Sequence, residues 1–341
     1  MKEILEKLLR EELGADATLS EIVKLHGDAS YRTYYRAILS DGSSLIVMQM
    51  PEGKSSVSEE ITNFNGTHKE LPFVNVARYL SGLGLPVPTI RCYSETHHLM
   101  LLEDLGDGLM ARAVENASEA ERRSWYEKAI DLLALMQQRT RDCDSLACVA
   151  CARSFDAHLL NWEFDHFREY CVEARAGKAM DEEDRRIFKE ETRSISAEIE
   201  RMPYGFTHRD FQSRNLIIKN GSLYMIDFQD ALKGPFVYDL VALTRDSYVK
   251  LADETVDSLI SYYASKAGRG ASDVRGNYDL VTVQRKLKDA GRFVFIDRVK
   301  KNPNFLKYIP TSLGYARAAL ERLPAHRRLH ALIERYLPEW R

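Results

Sequence analysis

One hairpin limits what this chain can fold into more than any other feature of its sequence. Asn220 and Gly221 form a favoured two-residue turn between two short apolar runs. Counting outward from this turn places Asn215 and Asp227 side by side where the two predicted strands end. Asp210 lies on the loop that enters the hairpin, so its carboxylate can reach the same place. The sequence therefore predicts a cluster of three oxygen-bearing side chains at one end of a hairpin.

Such a cluster fits magnesium-dependent phosphoryl transfer. Mg²⁺ prefers hard oxygen ligands such as Asn215 and Asp227, and it keeps its other positions for phosphate and water. Each residue alone would be more typical of a strand end, a turn or a solvated loop. Together they follow a known order, in which His208-Arg209-Asp210 precedes the asparagine and an Asp-Phe pair follows the hairpin. This order and its spacing match the catalytic loop and metal motif of protein kinases.

The rest of the chain changes from a strand-rich beginning to a helical remainder. Helices are predicted over 3–13 and 73–83, and the short apolar runs that predict an antiparallel meander are 22–25, 34–39, 45–48 and 100–102. Farther along, apolar residues recur at helical spacing, for example over 119–139 and 155–173. The pattern predicts an α+β chain with a small antiparallel-sheet lobe over 1–103 and a larger, mostly helical lobe over 104–341.

Composition excludes several classes of function. The 48 Lys and Arg residues against 51 Asp and Glu give a net charge of -3, which argues against a nucleic-acid partner. No segment has the apolar length of a signal peptide or a membrane span, so a cytoplasmic protein without a membrane partner is expected. Five cysteines are odd in number and sparse, and reduced thiols are therefore expected.

Three short motifs resemble ligand sites but lack the context that those sites need. Cys148 and Cys151 have C-x-x-C spacing near Cys143, but a structural zinc site normally uses two such pairs. Gly82-Leu83-Gly84 stands between a helix and two prolines, whereas a dinucleotide fingerprint needs a strand before it and a helix after it. Gly53-Lys54-Ser55 lacks the earlier glycine of a phosphate-binding loop. The sequence supports neither of these two nucleotide folds.

Six segments carry a wider resemblance that spans nearly the whole chain. They are GDASYRTYYR (27–36), LLEDLG (101–106), HRDFQSRN (208–215), IDFQDA (226–231), YDLVALTRD (238–246) and QRKLK (284–288). With these segments the chain resembles the aminoglycoside phosphotransferase and choline kinase-like branch of the protein-kinase-like superfamily. Within that branch it is most similar to the bacterial anomeric kinases that phosphorylate N-acetylmuramate and N-acetylglucosamine in cell-wall recycling. The resemblance implies a protein-kinase-like two-lobed fold, ATP and Mg²⁺ as cofactors, and a small-molecule sugar as acceptor.

The resemblance also implies roles for individual residues. Asp210 would accept or orient the proton of the attacking hydroxyl, with His208 and Arg209 in the same catalytic loop, while Asn215 and Asp227 would hold Mg²⁺. The implied nucleotide-binding residues are Gly27, Asp28, Ala29, Ser30, Arg32, Met48, Leu102, Glu103 and Leu105. The candidates for sugar contacts are Arg153, Asn161, Glu163 and Arg245. Asp239 is expected to tie the catalytic loop to the helical lobe.

The sequence departs from protein kinases in two ways. The strand over 45–50 lacks the phosphate-binding lysine, and Arg32, Arg36 and Lys54 are the nearest cationic candidates to replace it. Only ten residues separate Phe228 from the aspartate at 239, which leaves no room for an activation loop. A small-molecule acceptor is therefore favoured over a peptide.

The charge distribution bears on the acceptor. Residues 1–103 carry ten Lys and Arg against 14 Asp and Glu, whereas residues 282–341 carry 14 against five. A solvated basic face would explain this difference, but a basic wall also fits an anionic or neutral sugar better than a cationic aminoglycoside. Two alternatives stay open: an aminoglycoside or other small-alcohol phosphotransferase, and a nucleotide-binding pseudokinase that acts as a regulatory module. A monomer is expected.

Overall fold

The computed structural model describes residues 2–14, 16–25, 32–50 and 70–340. In these residues a small antiparallel sheet precedes a mostly helical remainder, so the predicted α+β organisation is confirmed. Five residues of the predicted phosphate site, Gly27, Asp28, Ala29, Ser30 and Lys54, lie outside the described residues. No helix of the described part is both long and apolar enough to cross a membrane.

The sheet packs between two apolar layers. Its strands are β1 (Leu19–Lys24), β2 (Thr33–Leu39), β3 (Ser44–Gln49), β4 (Ile90–Ser94) and β5 (Leu99–Glu103), in the order β1-β2-β3-β5-β4, and all neighbours are antiparallel. Because side chains alternate along a strand, Val47 and Leu101 face helix α1 (Lys2–Leu13), while Met48 and Met100 face the other way into the main core. Helix α2 (Pro72–Gly82) packs in that main core.

The remainder of the chain is built from helices and two small strand pairs. The helices are α3 (Met110–Glu115), α4 (Glu119–Arg139), α5 (Val149–Ala152), α6 (Ala157–His166), a π-helical segment (Phe167–Ala174), α7 (Glu182–Glu200), α8 (Tyr238–Thr244), α9 (Asp253–Lys266), α10 (Ala271–Lys300), α11 (Ile309–Glu321) and α12 (Arg327–Tyr336). The strand pairs are β6 (Tyr204–Thr207) with β9 (Leu232–Pro235), and β7 (Leu216–Lys219) with β8 (Ser222–Met225).

Two helix predictions had different outcomes. Helix α4 has the predicted bounds because Ser118 and Glu121 form a capping box at its start. The single helix predicted over 155–173 is instead α6 followed by the π-helical segment. At this junction α10 comes so close that a Cβ atom on Gly291 would lie 2.7 Å from the Cα atom of Phe167.

Two further features differ from the sequence predictions. Strand β4 was not predicted, because it is an edge strand that follows two prolines and has no regular alternation of apolar residues. Cys143 and Cys151 are joined as a disulfide, so the expectation of reduced thiols is wrong for this pair. Cys92, Cys148 and Cys171 are free thiols.

Candidate active site

The hairpin of β7 and β8 brings the predicted oxygen ligands together. Its strands pair in the predicted register around Asn220 and Gly221, whose positive φ angles of 51° and 77° suit a tight two-residue turn. At the open end, the backbone nitrogen of Ile226 donates to the carbonyl oxygen of Asn215 over 3.0 Å. The predicted juxtaposition of Asn215 with Asp227 is confirmed.

This end of the hairpin opens into a large cleft of about 1170 Å³ that the sheet, the catalytic loop and α10 line together. The predicted site residues that line it are Arg32, Leu102, Glu103, Leu105, Arg209, Asp210, Asn215 and Asp227. Two predicted residues lie behind the wall instead. Met48 is fully buried in the main core, and Ile46 of the same strand lines the cleft in its place. His208 is fully buried with its ring edge-on to Phe211.

Cations surround the carboxylate of Asp210. Arg285 of α10 donates from Nη2 to Asp210 Oδ1 over 3.1 Å, and its own side chain is only 1% exposed. Burial alone would raise the pKa of Asp210, but the charges of Lys288, Arg285 and Arg209 hold that pKa well below its usual value. Asp210 is therefore ionised at neutral pH and can accept a hydrogen bond from a hydroxyl group in the cleft.

The backbone beside Asp210 is fixed from three sides. Arg209 has a φ angle of 76°, which is strained for a residue other than glycine. Asp239 accepts from the backbone nitrogens of His208 and Arg209 over 2.7 and 2.9 Å, as predicted for this aspartate. Arg209 Nη2 donates to Glu163 Oε1 over 2.8 Å, and Arg285 Nη1 donates to the Arg209 carbonyl over 2.6 Å. These contacts hold the strained loop in place.

The residues at the hairpin end fit a magnesium ion. Asp227 also has a positive φ angle, 65°, and 45% of its side chain is exposed in the cleft. Its depth in the protein and the neighbouring Asp210 carboxylate raise the pKa of Asp227. A divalent cation bound there would lower this pKa again, because its charge favours the carboxylate form. Asn215 Nδ2 donates to the Asp210 carbonyl over 2.9 Å, so its amide oxygen faces away from that carbonyl. A carboxylate and an amide oxygen are ligands that Mg²⁺ accepts.

Of the three cationic candidates to replace the phosphate-binding lysine, two are described by the structure, and they occupy different places. Arg32 lies in the cleft, with Nη1 3.9 Å from Asp227 Oδ1 and its guanidinium 6.0 Å from the centre of the Phe73 ring. Arg36 instead donates to Asp104 and Asp107, over 2.6 Å from Nε and 2.9 Å from Nη2 respectively. Arg36 is therefore bound to the segment that joins the sheet to the helices, and Arg32 is the candidate beside the metal ligands.

None of the four residues predicted to contact the sugar lines the cleft. Glu163 is fully buried between Arg209 and Gln284, and Arg153 is 2% exposed. Arg245 Nη1 lies 2.7 Å from Asp253 Oδ1. Asn161 instead lines a smaller cavity of about 250 Å³ between α6 and α7. Their side chains are held by buried or distant partners, which gives them no direct route to an acceptor in the cleft.

Helix α10 supplies residues that the sequence did not assign. Arg285, Lys288 and Arg292 line the cleft from one face of this helix, at spacings of three and four residues. In the lining of the same cleft, the guanidinium of Arg214 lies 3.8 Å from the centre of the Tyr248 ring. It also donates to the hydroxyl of Tyr308 over 2.8 Å. The helical spacing of the basic residues was the sequence signal that could have identified this wall.

Comparison with known proteins identifies relatives over most of the chain. A family model described as "Phosphotransferase enzyme family" matches residues 21–274. The N-acetylmuramate/N-acetylglucosamine kinase of Neisseria meningitidis serogroup B is 28% identical over 314 residues, which cover 90% of this chain and 87% of that protein.

Two solved structures share the fold. A choline/ethanolamine kinase family protein from Mesorhizobium loti has a TM-score of 0.62 at 14% identity, covering 97% of this chain and 98% of that one. The ADP-bound aminoglycoside phosphotransferase APH(2'')-Ib has a TM-score of 0.60 at 14% identity, covering 92% of this chain and 97% of that one. At this identity the likeness concerns the fold, which has the two-lobed organisation of kinases.

Proposed function

The chain belongs to the phosphotransferase enzyme family and is a small-molecule kinase with an alcohol group as acceptor, and on that premise we propose a specific reaction. It transfers the γ-phosphate of ATP to the anomeric hydroxyl of N-acetylmuramate or N-acetylglucosamine. The name of the Neisseria meningitidis relative supports the acceptor, and the ADP in the APH(2'')-Ib structure supports the nucleotide. A cytoplasmic monomer without nucleic-acid or membrane partners stays a prediction.

The observation that carries the proposal is the convergence of Asp210, Asn215 and Asp227 at one place in the cleft. Mg²⁺, held by Asn215 and Asp227, would neutralise charge on the nucleotide phosphates. Asp210 accepts a hydrogen bond from the attacking hydroxyl and so directs an oxygen lone pair at the phosphorus atom. Because its pKa is low, Asp210 takes up the proton only as the new O–P bond forms and the bond to ADP breaks.

Arg32 is the residue that we propose for the missing lysine. A cation beside the metal ligands is needed because the β- and γ-phosphates carry more charge than one metal ion neutralises. The position of Arg32, 3.9 Å from Asp227, supports this role. Its planar guanidinium can bind two phosphate oxygens at once, which a lysine ammonium does only as a point charge.

The charges of the α10 wall favour an anionic or neutral acceptor. Lys288 and Arg292 line the same cleft as Asp210, and Tyr248 and Tyr308 add aromatic surface near them. A polycationic aminoglycoside would be repelled by such a wall, whereas the lactyl carboxylate of N-acetylmuramate would be attracted. The aromatic rings suit the apolar face of a sugar ring.

A coupled assay of ADP release tests the proposal. The purified protein is given ATP and Mg²⁺ with N-acetylmuramate, N-acetylglucosamine, choline or kanamycin in turn. We expect turnover of the two sugars and a loss of at least about 100-fold in kcat for Asp210→Asn, because the positioned carboxylate is lost. Asp41→Asn makes the same chemical change on an exposed turn and should keep full activity.

The assay also separates the alternatives. Phosphorylation of kanamycin or choline alone would favour the other small-alcohol acceptors. Binding of ATP without turnover of any acceptor would favour a regulatory pseudokinase. This alternative stays open because the strand over 45–50 lacks the phosphate-binding lysine of protein kinases. Sugar phosphorylation that survives Asp210→Asn would contradict the assigned chemistry.

A further inference from the structure

Three cysteines lie together outside the cleft. Cys143 follows α4 in a loop, Cys148 directly precedes α5, and Cys151 lies within it. All three sulfur atoms lie within 4.8 Å of one another. Cys143 and Cys151 are joined as a disulfide with their Cα atoms 5.8 Å apart, within the usual range, and Cys148 is a thiol beside them.

A metal site explains this cluster less well than thiol chemistry. Structural zinc sites use four ligands, and among the described residues no imidazole or carboxylate joins the three sulfurs within that distance. A purely structural disulfide needs two cysteines and leaves the third sulfur without a role. Redox-sensing cysteines, in contrast, are commonly poised next to a further cysteine that can complete a disulfide.

The three sulfurs differ in exposure, which sets the order of their reactions. Cys143 is half-buried, whereas Cys148 and Cys151 are 0% and 4% exposed. Burial raises the pKa of the Cys148 thiol, so this residue reacts slowly at neutral pH. An oxidant from solution therefore reaches Cys143 first, and Cys151 closes the bond.

We propose that Cys143, Cys148 and Cys151 form a redox-active site that a low-molecular-weight disulfide oxidises and a dithiol reduces. The Cys143 thiolate attacks the external disulfide, forms a mixed disulfide and releases one external thiol. Cys151 then attacks the Cys143 sulfur and releases the second external thiol. The cysteine pair gives up two electrons and two protons, and the external disulfide takes up both as two thiols. Cys148 takes the place of Cys151 when that residue is missing.

This site is physically connected to the proposed metal ligands. The backbone nitrogen of Val149 in α5 donates to Asn75 Oδ1 in α2 over 2.8 Å. The ring of Phe73 in the same helix is tilted against that of Phe228, the residue after Asp227, with the ring centres 5.0 Å apart. Closing the disulfide fixes α5 to the loop after α4 and so restrains the α2 contact that α5 makes through Val149. We therefore expect the oxidised protein to bind MgATP severalfold more tightly. This coupling rests on the proposed function, whereas the thiol chemistry does not.

The full-length protein is equilibrated with glutathione disulfide or with dithiothreitol, and its thiols are counted in denaturant. We expect five free thiols after reduction and two fewer after oxidation, with a Cys143–Cys151 link in the peptide mass map. Cys151→Ser should form a bond between Cys143 and Cys148, and Cys143→Ser should form none under the same conditions. Cys92→Ser removes a half-buried thiol elsewhere and should behave as wild type.

Two results would overturn the redox site: one equivalent of zinc bound with all thiols reduced, or an unchanged loss of two thiols in Cys143→Ser.

The coupling is tested with a fluorescent ATP analogue bound to the oxidised and reduced forms. Equal affinities in wild type would overturn the coupling and leave the thiol chemistry standing. If neither form binds the analogue, the proposed kinase function is what fails.

Discussion

Arg285 is the residue on which the geometry of Asp210 depends. Its guanidinium binds the Asp210 carboxylate with one nitrogen and the Arg209 carbonyl with another, in a site where only 1% of the side chain is exposed. Arg285→Lys keeps the charge but not the two-pronged contact. We expect kcat to fall about 10- to 100-fold, with the KM for ATP nearly unchanged, since only the transition state loses its positioned base.

Steady-state kinetics with both substrates, and circular dichroism to check folding, would measure this effect. Arg285→Gln should be the less stable variant, by about 1 to 3 kcal/mol, because the Arg209 carbonyl loses a buried donor and the partly exposed Asp210 carboxylate loses one of its cations. The positioning role would be wrong if Arg285→Lys kept wild-type kcat.

His208 gives the stability of the protein a defined pH dependence. Its full burial lowers its pKa to about 4, against an ordinary value of 6.5. Between these two values the unfolded chain binds a proton that the folded chain does not, so stability falls as the pH decreases. The loss reaches about 3 kcal/mol near pH 4.

Urea unfolding of wild type and His208→Gln from pH 7.5 to 4.5 tests this prediction. The difference between the two free energies of unfolding should shrink or reverse as the pH falls. The comparison is needed because Asp239, whose pKa burial raises to about 7, contributes a slope of the opposite sign. Parallel curves for the two proteins would refute the assignment to His208.

At the level of elements, α10 packs closely against the π-helical segment, and this contact positions the α10 wall. A methyl group on Gly291 would lie 2.7 Å from Phe167 Cα and 2.9 Å from its nitrogen, and both are backbone atoms that yield little. We expect Gly291→Ala to destabilise the protein by about 1 to 3 kcal/mol. Gly276→Ala lies on the same helix with nothing within 4 Å, so helix propensity should make it neutral or stabilising by up to about 1 kcal/mol.

Denaturant unfolding at fixed pH compares the two variants directly. The matched helix makes the test specific, since both substitutions replace glycine by alanine in α10. Equal stabilities of the two variants would mean that the helices separate at little cost, and the close approach would then not hold α10 in place.

The elements that the sequence predicted are those whose signals are local. The β7–β8 hairpin follows from its Asn-Gly turn, and α4 from its apolar residues at helical spacing, because each signal lies within the element itself. The change from α6 to the π-helical segment lies where Gly291, more than 120 positions away, approaches Phe167, and no local pattern reports such a contact. The same reason applies to Glu163, whose partner Arg209 comes from a distant loop.

For the whole molecule, the proposed division near residue 103 separates neither the apolar core nor the charge completely. Met100 and Leu102 of β5 belong to the same apolar core as α4 and α8, so the two lobes share buried surface. Ion pairs also cross the division, with Lys219 Nζ 2.7 Å from Glu103 Oε1. The basic excess lies in the last segment of the second lobe, because residues 282–341 carry 14 basic against five acidic residues, whereas residues 104–341 together carry 38 against 37.

This polarity predicts how salt affects the two proposed acceptors. Attraction between the α10 wall and a carboxylate is screened by salt, with a Debye length of about 10 Å at 0.1 M and about 3 Å at 1 M. We expect kcat/KM for N-acetylmuramate to fall about two- to fivefold between 0.05 and 0.5 M NaCl, while that for N-acetylglucosamine changes little. Arg292→Gln should weaken the salt effect on N-acetylmuramate without altering the kinetics of the neutral sugar, because Arg292 belongs to the α10 wall. An equal response of both sugars to salt would mean that the basic segment is a solvated face with no part in acceptor choice.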